Sequence, residues 1–189
     1  IILAGGKSLR MGTDKTFLEI NGQTLLERAI ELCRPFCQTI LISSNNKEHG
    51  KLGFEIIPDE INDCGPLGGI YSCLKNSETD WNFVISVDSV FAESEFVKFL
   101  ASQTGSFDAI VPVYLKGKEP LIALYHKRSL TEISKMLDSG NFKMHDLLNK
   151  LNTKFVDTQN WLEKYPQLFR NLNRPEDLPN ARVLMDRKF

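Results

Sequence analysis

Long apolar runs are missing from this chain: no stretch approaches the roughly 18 residues a membrane-spanning helix needs. An excess of charge of one sign is missing too. Lys and Arg total 23 against 24 Asp and Glu, a formal net charge of -1. That balance offers no general attraction for nucleic acid or for an anionic membrane, and neither is expected as a partner. Cysteine is scarce, at 4, and histidine scarcer, at 3. Cys33 and Cys37 lie in a Cys-Arg-Pro-Phe-Cys stretch, and Cys64 and Cys73 stand alone. None of His49, His126 and His145 falls at zinc-ligand spacing to them, which argues against a cysteine-based metal site. Reduced thiols in the cytoplasm are the expectation. No repeat, low-complexity tract, linker or signal-peptide pattern interrupts the chain. It opens on apolar Ile1, so a few residues of the first strand are expected to precede it.

What is present suits one α/β domain over residues 1–189. Apolar content of 42% and charged content of 25% are ordinary for a globular protein with a sizeable core. Short apolar runs predict strands at Ile1–Ala4, Thr39–Ser43, Glu55–Ile57, Phe83–Val87, Ala109–Val113 and Leu121–Tyr125, with a weaker one at Lys154–Asp157. Amphipathic stretches predict helices at Thr24–Cys33, Leu67–Leu74, Glu93–Ala101, Ser129–Leu137 and Met144–Leu151. Near the C-terminus Pro175, followed by acids, is placed to open a last short helix. Alternating strands and helices argue for a Rossmann-like, mainly parallel sheet with helices on both faces. The ligand of such a sheet sits outside the carboxyl ends of its strands. Gly5 follows the first predicted strand, Ser43 and Asn45 the second, Asp59 the third and Asp88 the fourth, so four polar strand ends share one edge.

The most informative segment is Leu3 to Lys15, LAGGKSLRMGTDK. Glycines allow close backbone approach, successive N–H groups form an anion nest, and Lys7, Arg10 and Lys15 bring positive charge, as a polyphosphate requires. Two familiar phosphate loops are excluded. A Walker A loop ending at Gly6-Lys7-Ser8 needs glycine where Ile1 stands, and Gly5, Gly6 and Gly12 lack the G-x-G-x-x-G spacing.

The form LAGG-x-S-x-R-M-G-x-D-K resembles the signature of nucleotidyltransferases, and is most similar to the MobA family, the molybdenum cofactor guanylyltransferases. Further segments match in order: Asp59 with Gly65-Pro66-Leu67-Gly68-Gly69, Asp88 ending an apolar strand, Glu119 to Tyr125, and Asn171 to Leu178. The resemblance covers essentially the whole chain. It implies a nucleotide-diphospho-sugar transferase-like fold and transfer of GMP from GTP to the phosphate of the molybdenum–molybdopterin cofactor. Contact with acceptor molybdoenzymes and cofactor-delivery proteins follows from that activity.

Such transfer needs no general base, because the acceptor phosphate is already ionised. It needs in-line positioning and neutralised charge. We assign the charge to the first loop, to Arg10 and Lys15, and to Mg2+, which the resemblance places on Asp88. GTP contacts are expected at Leu3, Ala4, Gly5, Gly6, Lys15 and Asp88, with Asp59, Gly65 and Gly69 reading guanine and Ser43 or Asn45 near the ribose or base. Asn171 and Asn173 are the expected acceptor side.

Plainer readings stand beside these: a solvated surface lysine for Lys15, a turn residue for Asp88, a helix start for Gly65-Pro66, and ordinary turns for both asparagines. The family's usual proline two residues after the aspartate is here Val90, which puts the local geometry around Asp88 in question. Trp81 and Trp161 fall outside every motif and read as packing or surface aromatics, and Lys47–Lys51 reads as a solvated loop. A cytidylyltransferase for the same cofactor and another small-molecule nucleotidyltransferase remain alternatives. So does a non-catalytic nucleotide-binding protein. The AGG of this chain, where cytidylyl relatives tend towards AAG, speaks against the first.

Overall fold

Alternation along the strands divides the core in two. Ile2, Ile42, Phe83, Ile85, Ile110 and Leu124 pack to one side, and Leu3, Leu41, Val84, Val111, Ala123 and Tyr125 to the other. Side chains two apart along a strand share a face, so each apolar run feeds both cores at once. A computed structural model of the chain describes residues 1–5, 14–174 and 176–186. The expectations for Gly6 and Arg10 and the helix start at Pro175 lie outside these.

In chain order the elements are β1 (Ile2–Leu3), β2 (Glu19–Ile20), β3 (Gln23–Thr24), α1 (Leu25–Cys33), β4 (Leu41–Ser43), β5 (Glu55–Ile57), α2 (Gly65–Asn76), β6 (Trp81–Ser86), α3 (Ser94–Ala101), β7 (Ala109–Tyr114), β8 (Gly117–Lys118), β9 (Ile122–His126), α4 (Leu130–Asp138), α5 (Met144–Lys150), β10 (Thr153–Asp157), α6 (Gln159–Lys164) and α7 (Asp177–Asp186). The main sheet runs β10-β7-β9-β6-β1-β4-β5, with β8 paired to β7. Parallel pairs join β5, β4, β1 and β6, and another joins β7 to β10. Strand β9 is antiparallel to both neighbours. The sheet is therefore mainly parallel, as expected, with one reversed strand inside it.

Helices α1 and α3 cover one face and α2, α4 and α5 the other. Helix α1 shows how the sequence writes its own limits. Thr24 Oγ1 accepts from Glu27 N at 3.2 Å while Glu27 Oε2 accepts from Thr24 N at 2.8 Å, a reciprocal cap. Leu25, Leu26, Ala29, Ile30 and Cys33 form its buried stripe. The helix ends at Cys33; Arg34 still has helical backbone and donates its N–H to Ile30 O at 2.9 Å, and Pro35 then has no N–H to continue the ladder.

Several elements escaped the apolar periodicity: the β2–β3 hairpin, β8 and α6, all too short to show a period. Helix α2 begins two residues before its predicted start, at Gly65, with Pro66 in its first turn. Trp161 is a packing residue. Its ring lies 5.2 Å from Phe96 and 5.1 Å from Phe99, centroid to centroid, and Phe169 joins Phe96 at 5.5 Å. This aromatic cluster holds residues 161–169 against α3 and brings the following segment to the end of β6, where Leu172 N donates to Asp88 O at 3.0 Å.

Candidate functional site

The parallel strands deliver their carboxyl ends to one cleft of about 1130 Å³. Leu3, Ala4 and Gly5 enter it from β1, Ser43 and Asn45 from β4, Asp59 after β5, Gly65 and Gly69 from α2, and Asp88 after β6. Lys15 reaches it from the turn Lys15–Phe17, and the start of β9 adds Leu121. A space of this size exceeds the usual small-molecule pocket of roughly 300–1,000 Å³, and its lining is rich in polar groups.

On the cleft wall Lys15 Nζ donates to Asp88 Oδ2 at 2.7 Å, with the two side chains 21% and 12% exposed. These groups lie 73 residues apart in sequence. The other carboxylate oxygen, Asp88 Oδ1, is buried and, among the described residues, without a hydrogen-bond partner. An ionised oxygen left bare in a half-closed site is suited to a hard cation. Among the described residues no group of three or more His, Cys, Asp or Glu is placed to hold a metal. Asp88 would thus offer a single protein carboxylate to such a cation. The missing proline is compensated locally. Ser89 N donates to Ser86 O at 3.0 Å and Ala92 N to Ser89 O at 3.2 Å, closing successive turns without it.

The opposite wall is built around Asp59. Its main-chain N–H donates to Asn45 Oδ1 at 3.0 Å, and Ser43 Oγ reaches Asp59 Oδ1 at a long 3.5 Å. Burial pushes the Asp59 carboxyl above its usual pKa, and the Ser43 hydroxyl offsets part of that. Gly69 explains how close α2 comes. A Cβ there would lie 2.3 Å from Ser43 Oγ and 3.3 Å from Leu3 Cδ2. Gly69→Ala is expected to push the Ser43 hydroxyl off Asp59 and to cost about 1–3 kcal/mol of stability, read by thermal unfolding. An unchanged melting temperature would show that the strand and helix part without strain.

A family model described as the MobA-like NTP transferase domain matches residues 1–154. The chain belongs to that family. It is similar over 183 residues, at 36% identity, to a molybdenum cofactor guanylyltransferase from Vibrio parahaemolyticus, with 94% of this chain and 91% of the relative covered. Among solved structures, molybdopterin-guanine dinucleotide biosynthesis protein A from Archaeoglobus fulgidus superposes with a TM-score of 0.83 at 25% identity, covering 98% of this chain and 97% of that one. The 2-C-methyl-D-erythritol 4-phosphate cytidylyltransferase from Thermus thermophilus shares the fold, with a TM-score of 0.70 at 14% identity, covering 98% and 97%.

In this MobA-like domain Asn171 and Asn173 lie beyond the matched residues and are not among those that line the cleft. Asn171 Oδ1 accepts from Ser89 Oγ at 3.2 Å, next to Asp88. Asn173 N donates to Asp177 Oδ2 at 3.1 Å, so this residue leads into α7. Asn171 thus sits beside the strand end that carries Asp88, with Leu172 bonded to Asp88 O.

The MobA-like cleft also holds residues that the sequence reading left unassigned: Asp14, Ser44, Asn46, Asn62 and Asp63. Asp14 stood in the first motif, between Thr13 and Lys15, with nothing to separate it from a surface acid. The loop expected at Lys47–Lys51 needs correction. It is a 3-10 helix, Lys47–Leu52, and His49 inside it is 1% exposed. Charged neighbours on both sides concealed a residue that turns inward.

Proposed function

We propose that this chain transfers GMP from GTP to the phosphate of the molybdenum–molybdopterin cofactor, giving molybdopterin guanine dinucleotide and pyrophosphate. The observation that carries the reading is the cleft of a MobA-like domain in which a lysine and a half-bare carboxylate face a polar base-sized wall. The names of its relatives point the same way.

The acceptor's phosphate oxygen attacks the α-phosphorus of GTP, that P–O bond forms, and the bond to the β-phosphate oxygen breaks as pyrophosphate leaves. No proton has to move. Lys15 steadies the negative charge that builds on the phosphates, and Gly5 lets the main chain approach them. Asp88 would hold Mg2+, which when bound supplies further charge neutralisation at the phosphates. Asp59, with Ser43 and Asn45 holding it in place, accepts from the N–H edge of guanine. The acceptor enters beside Ser89 and Asn171. A cytoplasmic setting suits a GTP-dependent reaction on free thiols' side of the membrane, and four free cysteines are compatible with it. Among the described residues no helix is long and apolar enough to cross a membrane.

The decisive experiment is pyrophosphate release with each of the four nucleoside triphosphates, with and without the cofactor. GTP is expected to lead CTP and ATP by a wide margin, since a buried acceptor left unpaired penalises the wrong base. Equal turnover of CTP would end the guanylyl reading.

Asp59 gives this proposal a pH signature. Its raised pKa means that acidification protonates it early, above the ordinary carboxylate range near about 4. GTP affinity is expected to fall as pH drops through that raised value, because a protonated carboxyl no longer accepts both guanine donors. Stability moves the other way at this residue. The folded state binds the proton more readily than the unfolded chain, so its share of stability improves as pH falls through the same window. Asp59→Asn should abolish this dependence in a titration of GTP binding against pH. An identical pH profile in the variant would remove Asp59 from base recognition.

A further inference from the structure

Asp14 divides its carboxylate between two loops. Oδ1 accepts from Thr16 N at 3.0 Å and from Thr16 Oγ1 at 2.6 Å, capping the turn Lys15–Phe17 that carries the cation. Oδ2 accepts from Asn46 Nδ2 at 2.9 Å and from His49 Nε2 at 3.2 Å, both on the segment after β4. Burial alone would raise the Asp14 carboxyl, but hydrogen bonds from Thr16 and Asn46 and the neighbouring His49 ring hold it below its usual value.

Proton counting places a proton on His49 Nε2. An ionised carboxylate only accepts, and the single Thr16 hydroxyl proton is already directed at Asp14 Oδ1. Nε2 therefore carries the ring proton and shares it between Asp14 Oδ2 and Thr16 Oγ1, the latter at 2.7 Å. Nδ1 is buried and, among the described residues, has no hydrogen-bond partner. A fully enclosed ring that leaves one nitrogen unsatisfied is held there by the contacts of the other.

The same segment serves the base wall. Asn45 Oδ1 holds Asp59 N at 3.0 Å, and Asn46 N donates to Ser44 Oγ at 2.9 Å. Contacts thus run from Asp59 through Asn45 and Asn46 to Asp14, then through the adjoining Lys15 to Asp88.

We propose that Asp14 and His49 are positioning residues that couple recognition of the base to the placement of the Lys15 ammonium. The inference rests on the nucleotidyl-transfer reading given above. Filling the base wall fixes the segment after β4. That segment grips Asp14 through Asn46 and His49, and Asp14 sets the turn from which Lys15 extends. Without the His49 N–H, Oδ2 keeps one donor, Asp14 is held less firmly, and the turn that aims Lys15 at the phosphates is less well fixed.

The test is a double-mutant cycle on the full chain, read as the affinity for GTP with Mg2+ by titration calorimetry. His49→Leu is expected to weaken binding about tenfold, and His49→Gln, whose amide N–H can replace Nε2–H, to stay within about threefold of wild type. In a Lys15→Ala background His49→Leu should change affinity less than about twofold, since the coupling then ends on no cation. An equal loss in both backgrounds, or a loss in His49→Gln as large as in His49→Leu, would make His49 a packing residue and overturn the proposal.

If His49→Leu does not fold, Asn46→Asp decides. It keeps an acceptor for Glu48 N, which Asn46 Oδ1 now caps at 3.0 Å, but sets like charge against Asp14. It should weaken GTP binding only where Lys15 is present, and any other pattern counts against the coupling. A wild-type chain that binds GTP but transfers nothing to the cofactor would defeat the guanylyltransferase reading, while the cycle would still decide the role of His49.

Discussion

Asp88→Asn is expected to slow GMP transfer by about a hundredfold or more, equivalent to roughly 3–4 kcal/mol of lost transition-state stabilisation. The substitution keeps the shape and removes the charge that faces both Lys15 and the metal position. Oδ1 is buried and, among the described residues, has no hydrogen-bond partner. Stability should fall less than the rate. The asparagine amide still offers an oxygen to Lys15 Nζ, which limits the loss to about 1–3 kcal/mol. Turnover across a Mg2+ titration, beside thermal unfolding, separates the two effects. A rate restored by raised Mg2+ supports the metal role. Wild-type turnover at ordinary Mg2+ would reduce Asp88 to a turn residue that happens to pair with a lysine.

Lys15→Ala is expected to weaken GTP binding and slow transfer together, with kcat/KM falling by on the order of a hundredfold. Its ammonium would touch phosphate oxygens in the ground state and the transition state alike. It also leaves Asp88 without its counterion in a site where that carboxylate is mostly covered. Lys15→Arg should recover part of the loss, because a planar fork does not fit where a compact point charge sits 2.7 Å from one oxygen. Steady-state kinetics with varied GTP would check both variants. Unchanged kinetics in Lys15→Ala would shift the charge work to Lys7 and Arg10.

The strands were legible because their apolar runs are long enough to show a period, and most helices because they carry a buried stripe. Strand direction was not legible. Leu121–Tyr125 read as another strand of a mainly parallel sheet, and nothing in its residues announces that it enters reversed between β6 and β7. Reversal brings its first end, Leu121, to the cleft, whereas β1, β4, β5 and β6 bring their last.

Within the candidate site, residues at strand ends could be gathered from the order of motifs alone. Asp14 and His49 could not. Their importance lies in one another and in Asn46, and contacts across 32 to 35 residues leave no trace in spacing. Asn173 was ambiguous for the opposite reason: a short amide near an acid looks the same in sequence whether or not it also leads into a helix.

The two-residue strand β1 lies between β4 and β6, pairing Ile2 with Ile42 on one side and with Ile85 on the other. As the chain leaves the ribosome, Ile2 and Leu3 have no complete seat until residue 85 has emerged. Lys15 waits for Asp88 over the same interval. Loop closure of that length makes such pairings slow relative to the helices that form between them. A nascent chain halted before Trp81 would lack both the second neighbour of β1 and the carboxylate. Strand β1 is therefore seated only when the parallel run β5-β4-β1-β6 is whole, with β7 to β10 still to join the sheet.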